Sequence, residues 1–498
     1  MKKVLALLMM MTLLVGCIPG MAESSTDKAM FTERDLSGSY DAGKAITVDL
    51  TAQTAVSGVS WEGSTCRIVS EGTYLLMGRL NGELRVTAAK DAKVQLVLQG
   101  VDITSNSAAA LVVESADKVF LTLAEGSTNT FTASGAAAQD TIGTLDGVIF
   151  TKSDLTINGA GHLTISGSNH GIAAKDDFKM TGGDVTIQAG RHGIEANDSI
   201  RIGGGSLSIT CGQDGLHTDG DDENAEKGWI VMQNGTLTIQ SADDAVHAAT
   251  SISIEGGTVQ IPRSHEGLEG QQILISGGDI SIVADDDGIN TSGGKDGSGV
   301  NNDDWGAAGW GRGGKMGGGD NEVQEGVLLS ISGGRVDVQS GGDGLDSNGS
   351  IAISGGFITV SGPTNSGDVP VDYNGTGPIT GGTVIATGVG TKMLQGFDAT
   401  STQSSTIQML GQLHQPGEVI TIADSAGQVL AEYTPSNAYQ LVIFSVPGVN
   451  NGDTLTLTCG TEVLTVTAGS SAAYGGFDDR NGGFGNFNNK QNGHGGRW

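Results

Sequence analysis

Short runs of alternating aliphatic and polar residues recur through the central part of the chain. Each run follows a segment in which a residue that is usually acidic, a glycine and an aliphatic residue stand in that order. Alternation with a period of two is typical of β-strands that bury one face. The aliphatic member of this segment falls at Ile172, Ile194, Leu216, Val246, Leu268, Ile289, Leu345 and Val371. The pattern predicts short β-strands joined by tight turns.

The repeat has a basic step of 21 to 22 residues, as from Leu268 to Ile289 and from Ile172 to Ile194. A second column of turn residues keeps this register, at Gly182-Gly183, Gly203-Gly204, Asn234-Gly235, Gly256-Gly257, Gly277-Gly278, Gly333-Gly334, Gly355-Gly356 and Gly381-Gly382. Such a step fits one turn of a three-sided β-solenoid whose stacked coils share an aliphatic core. Leucine-rich repeats have a similar period, but their consensus leucines and asparagine are missing. We therefore predict an all-β chain folded as a right-handed parallel β-helix, the commoner hand for coils of this length.

Changes in the pattern divide the chain into segments. The β-helix is predicted over residues 40–395, and insertions at 219–229 and 292–326 lengthen two of its coils. Both insertions begin a few residues after the repeated segment, so both loops should emerge along the same edge. Residues 400–470 contain several short alternating runs that predict a small β module or cap, and the Gly- and Asn-rich tail at 471–498 is predicted to be disordered.

The first 22 residues have the layout of an export signal, because Lys2 and Lys3 precede a short apolar run. The run ends at Cys17 in a sequence that resembles the lipobox of bacterial lipoproteins, although cleavage after Ala22 is an alternative. We expect an exported protein, either a cell-surface lipoprotein that contacts the membrane only through lipid on Cys17, or an extracellular protein.

Composition narrows the choice of partners. Acidic residues outnumber basic ones 56 to 26, which gives a formal net charge of −30. A field of that sign argues against nucleic acid and anionic lipid as partners and favours cations. The remaining cysteines, Cys66, Cys211 and Cys459, are far apart, so their spacing indicates neither a disulfide framework nor a zinc site.

Acidic side chains form two columns, one before the glycine of the repeated segment and one after its aliphatic residue. Equivalent residues of adjacent coils should lie about 4.8 Å apart, where two carboxylates repel by roughly 3.5 kcal/mol at an effective dielectric constant of about 20. Either some are protonated or a cation lies among them, and dense oxygen ligands favour calcium. The candidate calcium ligands are Asp214, Asp243, Asp244, Glu266, Glu269, Asp286, Asp287, Asn290, Asp343 and Asp346.

Simpler explanations remain open for the same residues. An isolated Asp-Gly pair is usually only a turn. His217 and His247 neighbour each other across one coil boundary, either as a metal pair or as stacked surface imidazoles. We expect the residue after each aliphatic to point outward, beside a glycine column that leaves the backbone uncovered.

Aromatic residues, which could provide apolar platforms for sugar rings, are scarce, at 4% of the chain. The register groups four of them along the edge that carries the loops, and these are the candidate ligand-binding residues: Trp229, Trp305, Trp310 and Tyr373.

Several motifs resemble a known bacterial family of carbohydrate-binding β-helix proteins, over about residues 40 to 470. They include Ser264-His265-Glu266-Gly267-Leu268-Glu269-Gly270-Gln271, Asp286-Asp287-Gly288-Ile289-Asn290 and Val371-Asp372-Tyr373-Asn374-Gly375. The resemblance implies a fold related to calcium-dependent pectate lyases, and binding of cellulose and acidic plant polysaccharide. The chain departs from the family pattern at His265, Ala245 and Val369-Pro370-Val371.

Two functions follow from these observations. The first is calcium-dependent, non-catalytic binding of polysaccharide, with no catalytic residue. The alternative is a polyuronate lyase, which needs calcium and a base to remove the C5 proton. Arg263 is the candidate base, with Lys175, Arg191 and Lys227 as further possibilities, although each basic residue could equally be an ordinary ion-pair partner.

Overall fold

The computed structural model describes residues 30–220, 226–293, 323–389 and 394–472. Within these ranges the chain is almost entirely β-strand, which confirms the all-β prediction. One short helix, Glu33–Leu36, precedes the strands, and Thr32 caps it by accepting a hydrogen bond from the backbone N–H of Asp35. No helix in the described ranges has both the length and the apolar character needed to cross a bilayer.

Parallel strands form three ladders in which each strand pairs with the equivalent strand of the next repeat. The first ladder contains Thr65–Ile68, Glu83–Thr87, Leu111–Ser115, Gly147–Thr151, His170–Ala174, Ile194–Ala196, Leu216–Thr218, Ile289–Thr291 and Leu345–Ser347. The second contains Ile46–Asp49, Lys118–Leu123, Asp154–Gly159, Phe178–Met180, Ser199–Ile202, Trp229–Met232 and Leu328–Ile331. The third contains Thr128–Ala133, His162–Gly167, Asp184–Ala189, Ser206–Cys211, Thr236–Gln240, Thr258–Ser264, Asp279–Ala284 and Arg335–Ser340.

Some strands turn a corner and contribute to two ladders. Val246–Ile254 and Leu268–Ile275 join the first to the second, and Gly72–Asn81, Lys93–Ser105, Ser350–Ser361 and Ile379–Gly388 join the second to the third. Two antiparallel hairpins also occur. Val59–Glu62 pairs with Thr65–Ile68, a strand of the first ladder, and Ala138–Asp140 pairs with Gly143–Leu145.

The strand register matches the sequence period. Ile172 lies opposite Ile194, which lies opposite Leu216, so equivalent residues are 22 positions apart. One face of each strand is buried: Val185 and Ile187 of the third ladder are 0% exposed, and their partners Leu207 and Ile209 are 1% exposed. Stacked aliphatic side chains from all three ladders therefore form one continuous core.

Glycine closes the turn between the second and third ladders. Gly183 has a φ of +86°, a conformation that an L-residue adopts only with strain. Equivalent positive values occur at Gly205, Gly235, Gly257, Gly278, Gly334, Gly356 and Gly382. The turn predicted at Gly203-Gly204 lies one residue too early in the sequence. Three glycines follow one another there, so the sequence does not show which of them takes the positive φ, and in the structure it is Gly205.

The glycine of the repeated segment has a different role from the one that we expected. A Cβ on Gly344 would lie 2.2 Å from Cγ1 of Val360 and 2.6 Å from the carbonyl oxygen of Pro370. The same crowding occurs at Gly171, Gly193, Gly215, Gly267 and Gly288. This column therefore faces the core and the next repeat, and the expectation that it leaves the backbone uncovered is wrong.

Antiparallel strands follow the last parallel one. Ile379–Gly388 pairs antiparallel with Tyr439–Ser445, which also pairs with Ser405–His414. A separate four-stranded sheet contains Ile420–Ala423, Val429–Tyr433, Thr454–Cys459 and Glu462–Thr467. Ser471–Ala472 pairs with Ile407 and Gln408, so ordered structure extends two residues into the predicted tail; residues 473–498 lie outside the described ranges, as does the predicted export signal.

The crowding at Gly344 generates a stability prediction. Gly344→Ala should lower the free energy of unfolding by about 1–3 kcal/mol, because the methyl group overpacks the core. Chemical denaturation measures this change. Gly367→Ala is the matched control, since Gly367 is exposed and its Cβ would approach only Oδ1 of Asn365, at 3.3 Å. Equal losses in both variants would show that core contact is not the cause.

Candidate functional site

Two rows of polar side chains run along the first ladder. In each repeat the first row contributes the residue that directly precedes the core-facing glycine, or the alanine that replaces it in one repeat. Its members are His170, His192, Asp214, Asp244, Glu266, Asp287 and Asp343. The second row is the residue after each core aliphatic: Glu195, His217, His247, Glu269, Asn290, Asp346 and Asp372. Strand pairing places Glu195 through Asp346 directly opposite one another in succession, as the sequence register predicted.

First-row side chains accept hydrogen bonds from the backbone of the following repeat. Nδ1 of His192 lies 3.0 Å from the amide nitrogen of Asp214, and Oδ1 of Asp214 lies 3.1 Å from the amide nitrogen of Asp244. The same contact joins Asp244 to Glu266, Asp287 to Asp343 and Asp343 to Val369. A buried amide without a hydrogen-bond partner is costly, so these side chains stabilise the backbone of the next repeat. Each aspartate uses one carboxylate oxygen for this bond and keeps the other for further contacts.

The second row is more buried than we expected. Glu269 is 2% exposed and His247 is 4% exposed, so at these two positions a side chain on the outward face is still covered by its neighbours. Both insertions begin against this row: Oδ1 of Asp219 lies 3.2 Å from Nε2 of His217, and Ser292 donates to Oε1 of Glu269 over 3.1 Å. The first residue of each insertion thus contacts the second row, a tertiary effect that strand alternation does not contain.

Four histidines form a continuous stack along the two rows. The ring centroids of His170 and His192 are 5.1 Å apart, those of His192 and His217 are 4.4 Å apart, and those of His217 and His247 are 5.0 Å apart. The sequence predicts only the contact between His217 and His247, as stacked imidazoles or a metal pair. His170 and His192 could have been found from the same column, where each directly precedes the glycine of the segment.

The end of the stack formed by His217 and His247 is surrounded by carboxylates. Nδ1 of His217 lies 2.7 Å from Oδ2 of Asp214, and burial alone would lower its pKa, but the bonds to Asp214 and Asp219 outweigh burial and raise the pKa to about 9. His247 lies 2.8 Å from Oε2 of Glu269, and its pKa is also raised, because its carboxylate partners outweigh burial. These two imidazoles are positively charged at neutral pH in the metal-free protein.

The other end of the stack has the opposite electrostatics. Burial lowers the pKa of His170 to about 3 and that of His192 to about 4, and the nearby carboxylates Glu195 and Asp214 only partly oppose this effect. Both imidazoles are therefore neutral at pH 7. Nδ1 of His170 is buried and has no hydrogen-bond partner within the described residues.

Carboxylates accumulate in the later repeats. One carboxylate oxygen from each of Asp343, Asp346 and Asp372 lies within 4.8 Å of the other two. Burial and mutual repulsion raise the pKa of Asp346 to about 8, and burial with nearby acids raises those of Asp343 and Asp287 to about 7. None of these four residues takes part in an ion pair with a basic side chain in the described part of the chain.

The other predicted calcium ligands fall into small groups. Asp214, Asp243 and Asp244 approach one another within 4.8 Å, and Asp244 does so with His247 and Glu269. Oδ2 of Asp244 is buried and has no hydrogen-bond partner in the described ranges, although Nδ1 of His247 lies 3.8 Å from it. Burial with nearby acids raises the pKa of Asp244 well above its usual value.

Further along the rows, the remaining predicted ligands form two pairs. Asn290 donates to Oε2 of Glu266 over 3.0 Å. Asp286 is more exposed, but one oxygen from it and one from Asp287 each lie 2.4 Å from the point that a Cβ of Gly342 would occupy. The two rows thus contain eight of the ten predicted calcium ligands, and the other two, Asp243 and Asp286, directly precede the first-row residues Asp244 and Asp287.

The two predicted aromatic platforms within the described residues, Trp229 and Tyr373, do not form an open surface at this edge. Tyr373 is only 8% exposed and donates its hydroxyl to the carbonyl oxygen of Gly396, so its ring cannot serve as an open platform. Trp229 begins a strand of the second ladder, and the guanidinium carbon of Arg201 lies 4.6 Å from its ring centroid. Trp305 and Trp310 lie outside the described residues, as does Cys17.

The candidate bases are engaged in ordinary contacts. Arg263 is exposed and forms a 3.3 Å ion pair with Asp285, which is also exposed. Lys175 lies 2.6 Å from Glu195, Lys227 lies 2.7 Å from Asp198, and Arg191 donates to Gln213. The described geometry directs none of them at the carboxylate groups of the later repeats.

Comparison with known proteins gives the family. A family model described as "Carbohydrate-binding domain-containing protein" matches residues 62–301. A relative of the same description from Acetivibrio thermocellus is 40% identical over 210 residues, which are 41% of this chain and 73% of the relative. The chain belongs to this family of carbohydrate-binding domain-containing proteins, and the resemblance inferred from its motifs is confirmed.

A solved structure is also similar to part of the chain. It is a gadolinium derivative of the polysaccharide lyase-like protein from C. thermocellum, with 30% sequence identity and a TM-score of 0.40. The similarity covers 46% of this chain and 96% of that protein. The family model ends at residue 301, so Asp343, Asp346 and Asp372 lie beyond the segment that it matches.

The opposite charge states of the stacked imidazoles can be measured. In metal-free protein, the imidazole resonances of His217 should titrate near pH 9, and those of His170 and His192 should not titrate above about pH 4. NMR titration tests this, with His217→Gln used to assign its resonance. A midpoint for His217 near the unperturbed value of about 6.5 would contradict the ion-pair geometry.

Proposed function

We propose that the chain binds acidic polysaccharide through calcium ions held by the carboxylates of the two rows, without catalysing a reaction. The observation that carries this proposal is the group of Asp343, Asp346 and Asp372, with Asp287 in the preceding repeat. These acids lie close together, and no ion pair within the described residues compensates their charge. Such a group is stable either when protonated or when a cation lies among its oxygens.

Calcium fits the donor set better than other common cations. The later repeats offer carboxylate and amide oxygens with neither cysteine nor histidine among them. Calcium takes six to eight oxygen ligands in flexible geometry, whereas zinc and copper prefer nitrogen or sulfur. A surface group of three or four carboxylates therefore leaves coordination positions for water or for a ligand's own oxygens.

Calcium also removes an electrostatic conflict. A formal net charge of −30 repels a polyuronate, yet a bound ion can accept oxygens from the protein and from a uronate carboxylate at the same time. The family membership supports carbohydrate as the ligand class. Cellulose, a neutral polymer, is a second ligand that the motif resemblance implies, and its binding would depend more on aromatic contacts than on calcium.

The three parallel ladders support a finer fold assignment, a parallel β-helix with three sides. Its right-handedness remains a prediction from the sequence. In such a fold the rows form a line with one step of about 4.8 Å per coil. A straight array of this kind suits an extended polymer better than a small molecule. Loops beside it are in the place where binding surfaces commonly form.

The alternative, a calcium-dependent lyase, gains no specific support. Its candidate base, Arg263, forms an exposed ion pair with Asp285. Export, and anchoring through lipid on Cys17, are proposals that rest on the sequence of the first 22 residues.

Calcium should stabilise the protein in a pH-dependent manner. Carboxyl groups whose pKa is raised by folding stabilise the folded state while protonated, so metal-free stability should fall as the pH rises from about 4 through the values of about 7 and 8 at Asp343 and Asp346. Calcium should restore stability mainly above pH 7, by about 2.7 kcal/mol per site at 100 times Kd. Thermal melting with calcium and with chelator, at pH 5 and pH 8, measures both effects.

The variant Asp346→Asn separates these contributions. It should make the metal-free protein more stable at pH 8 and reduce the calcium-induced rise in Tm. Asp279→Asn is the control, because Asp279 is an exposed carboxylate on the third ladder, outside the rows. Identical melting curves with calcium and with chelator for the wild-type protein at pH 8 would end the calcium proposal.

Polysaccharide binding should require the same ions. Pull-down on polygalacturonate should succeed with calcium and fail with chelator, and Trp305→Ala with Trp310→Ala should weaken it without changing Tm. Binding to cellulose should depend on the tryptophans and less on calcium.

Two outcomes would contradict the proposal. Binding to polygalacturonate that survives chelation would show that the two rows stabilise the fold but do not bind the polymer. Release of unsaturated uronides that Arg263→Ala abolishes would favour the lyase.

Lipid on Cys17 should hold the protein in the membrane fraction. Cys17→Ala should release it or block its processing, which fractionation and mass spectrometry of the N-terminus can detect. A mature wild-type protein that begins at Glu23 would refute lipidation.

A further inference from the structure

The end of the histidine stack farthest from the acidic repeats brings together a different set of donors. One ligand atom from each of His170, His192 and Glu195 lies within 4.8 Å of the other two. Nε2 of His170 is 3.1 Å from Oε2 of Glu195, and the two imidazole rings are stacked with an angle of 11° between their planes. His170 is 1% exposed, whereas the side chain of His192 retains 13% exposure.

Neighbouring groups hold these side chains in place. Nδ1 of His192 accepts the amide N–H of Asp214 over 3.0 Å, which places the proton of the neutral ring on Nε2, and it also lies 3.3 Å from Oδ2 of Asp214. A metal ion on Nε2 requires the other tautomer, in which Nδ1 carries the proton and donates to that carboxylate. A metal-bound histidine usually donates its other N–H to such a carboxylate. Glu195 is oriented by Lys175, whose Nζ lies 2.6 Å from Oε1, so that Oε2 is the oxygen nearer His170.

The donor set differs from the one in the later repeats. It contains two imidazoles and one carboxylate whose charge Lys175 already balances, whereas calcium prefers several oxygens. Two histidines and a glutamate form a known zinc ligand set, and imidazole suits zinc and similar transition metals.

The other histidines of the stack are poorer ligands. His217 is held between Asp214 and Asp219, and His247 lies against Glu269. A metal ion would have to displace a proton from either of these ion pairs. His192 belongs both to the group with His170 and Glu195 and to a group with Asp214 and His217, so an ion bound by the former would leave Asp214 as an outer carboxylate.

We propose that His170, His192 and Glu195 bind one divalent transition-metal ion of the zinc type, at a site separate from the calcium sites proposed in the later repeats. Three protein ligands, of which His192 and Glu195 are partly exposed, leave a fourth position of a tetrahedral ion for water or for an oxygen of a bound ligand. The proposal does not depend on calcium or on carbohydrate binding.

The test uses the full chain without a histidine tag. The protein is stripped with chelator, saturated with calcium and titrated with zinc chloride by calorimetry, and bound zinc is counted by elemental analysis. We expect one zinc ion per chain, and His192→Gln and Glu195→Gln should each weaken its binding by at least roughly tenfold. His162→Gln is the control and should bind zinc as the wild type does, because His162 is exposed and pairs with Asp184 outside the stack.

Anomalous diffraction at the zinc edge from wild-type crystals keeps the test independent of variant folding. A peak between His170, His192 and Glu195 supports the proposal. No zinc bound to the wild-type protein, displacement of zinc by excess calcium, equal affinity in folded His192→Gln and Glu195→Gln variants, or anomalous density only elsewhere would each overturn it.

Discussion

Parallel hydrogen bonding between successive repeats is the constraint on which the other features of this protein depend. It fixes each residue opposite its equivalent in the next repeat, as Ile194 is fixed opposite Leu216, at a spacing of about 4.8 Å. Any residue type that recurs in the sequence therefore becomes a continuous column. Aliphatic columns form the core, and the core-facing glycine column allows the chain to turn where a Cβ would collide with the neighbouring repeat.

The same spacing creates an electrostatic problem that the protein answers in two ways. In the earlier repeats, acids and imidazoles are interleaved, so Asp214 contacts both His192 and His217. In the later repeats no imidazole within the described ranges joins the group of Asp343, Asp346 and Asp372, and protonation or a cation would relieve the repulsion there. One geometric array thus has two chemically distinct ends, which we associate with two classes of metal ion.

The acids of the first row serve the backbone and the site at once. One oxygen of Asp214 accepts the amide of the next repeat, and the other meets His217. From the sequence alone, turn formation and ion binding are competing explanations for the acids of the first row. The two oxygens of a carboxylate allow both. Replacement of such an acid therefore affects stability as well as binding, and the matched neutral variants are needed to separate the two.

The sequence by itself determined the all-β composition, the register of the repeats and the alignment of the candidate ligands, because period and strand alternation are local properties. Only the tertiary structure decided exposure and charge. It buries Glu269 and His247, places the starts of two insertions against His217 and Glu269, packs Tyr373 inside, and extends the stack to His170 and His192. These outcomes depend on which loops and side chains meet across distant parts of the chain, and no periodic pattern within one repeat contains that information.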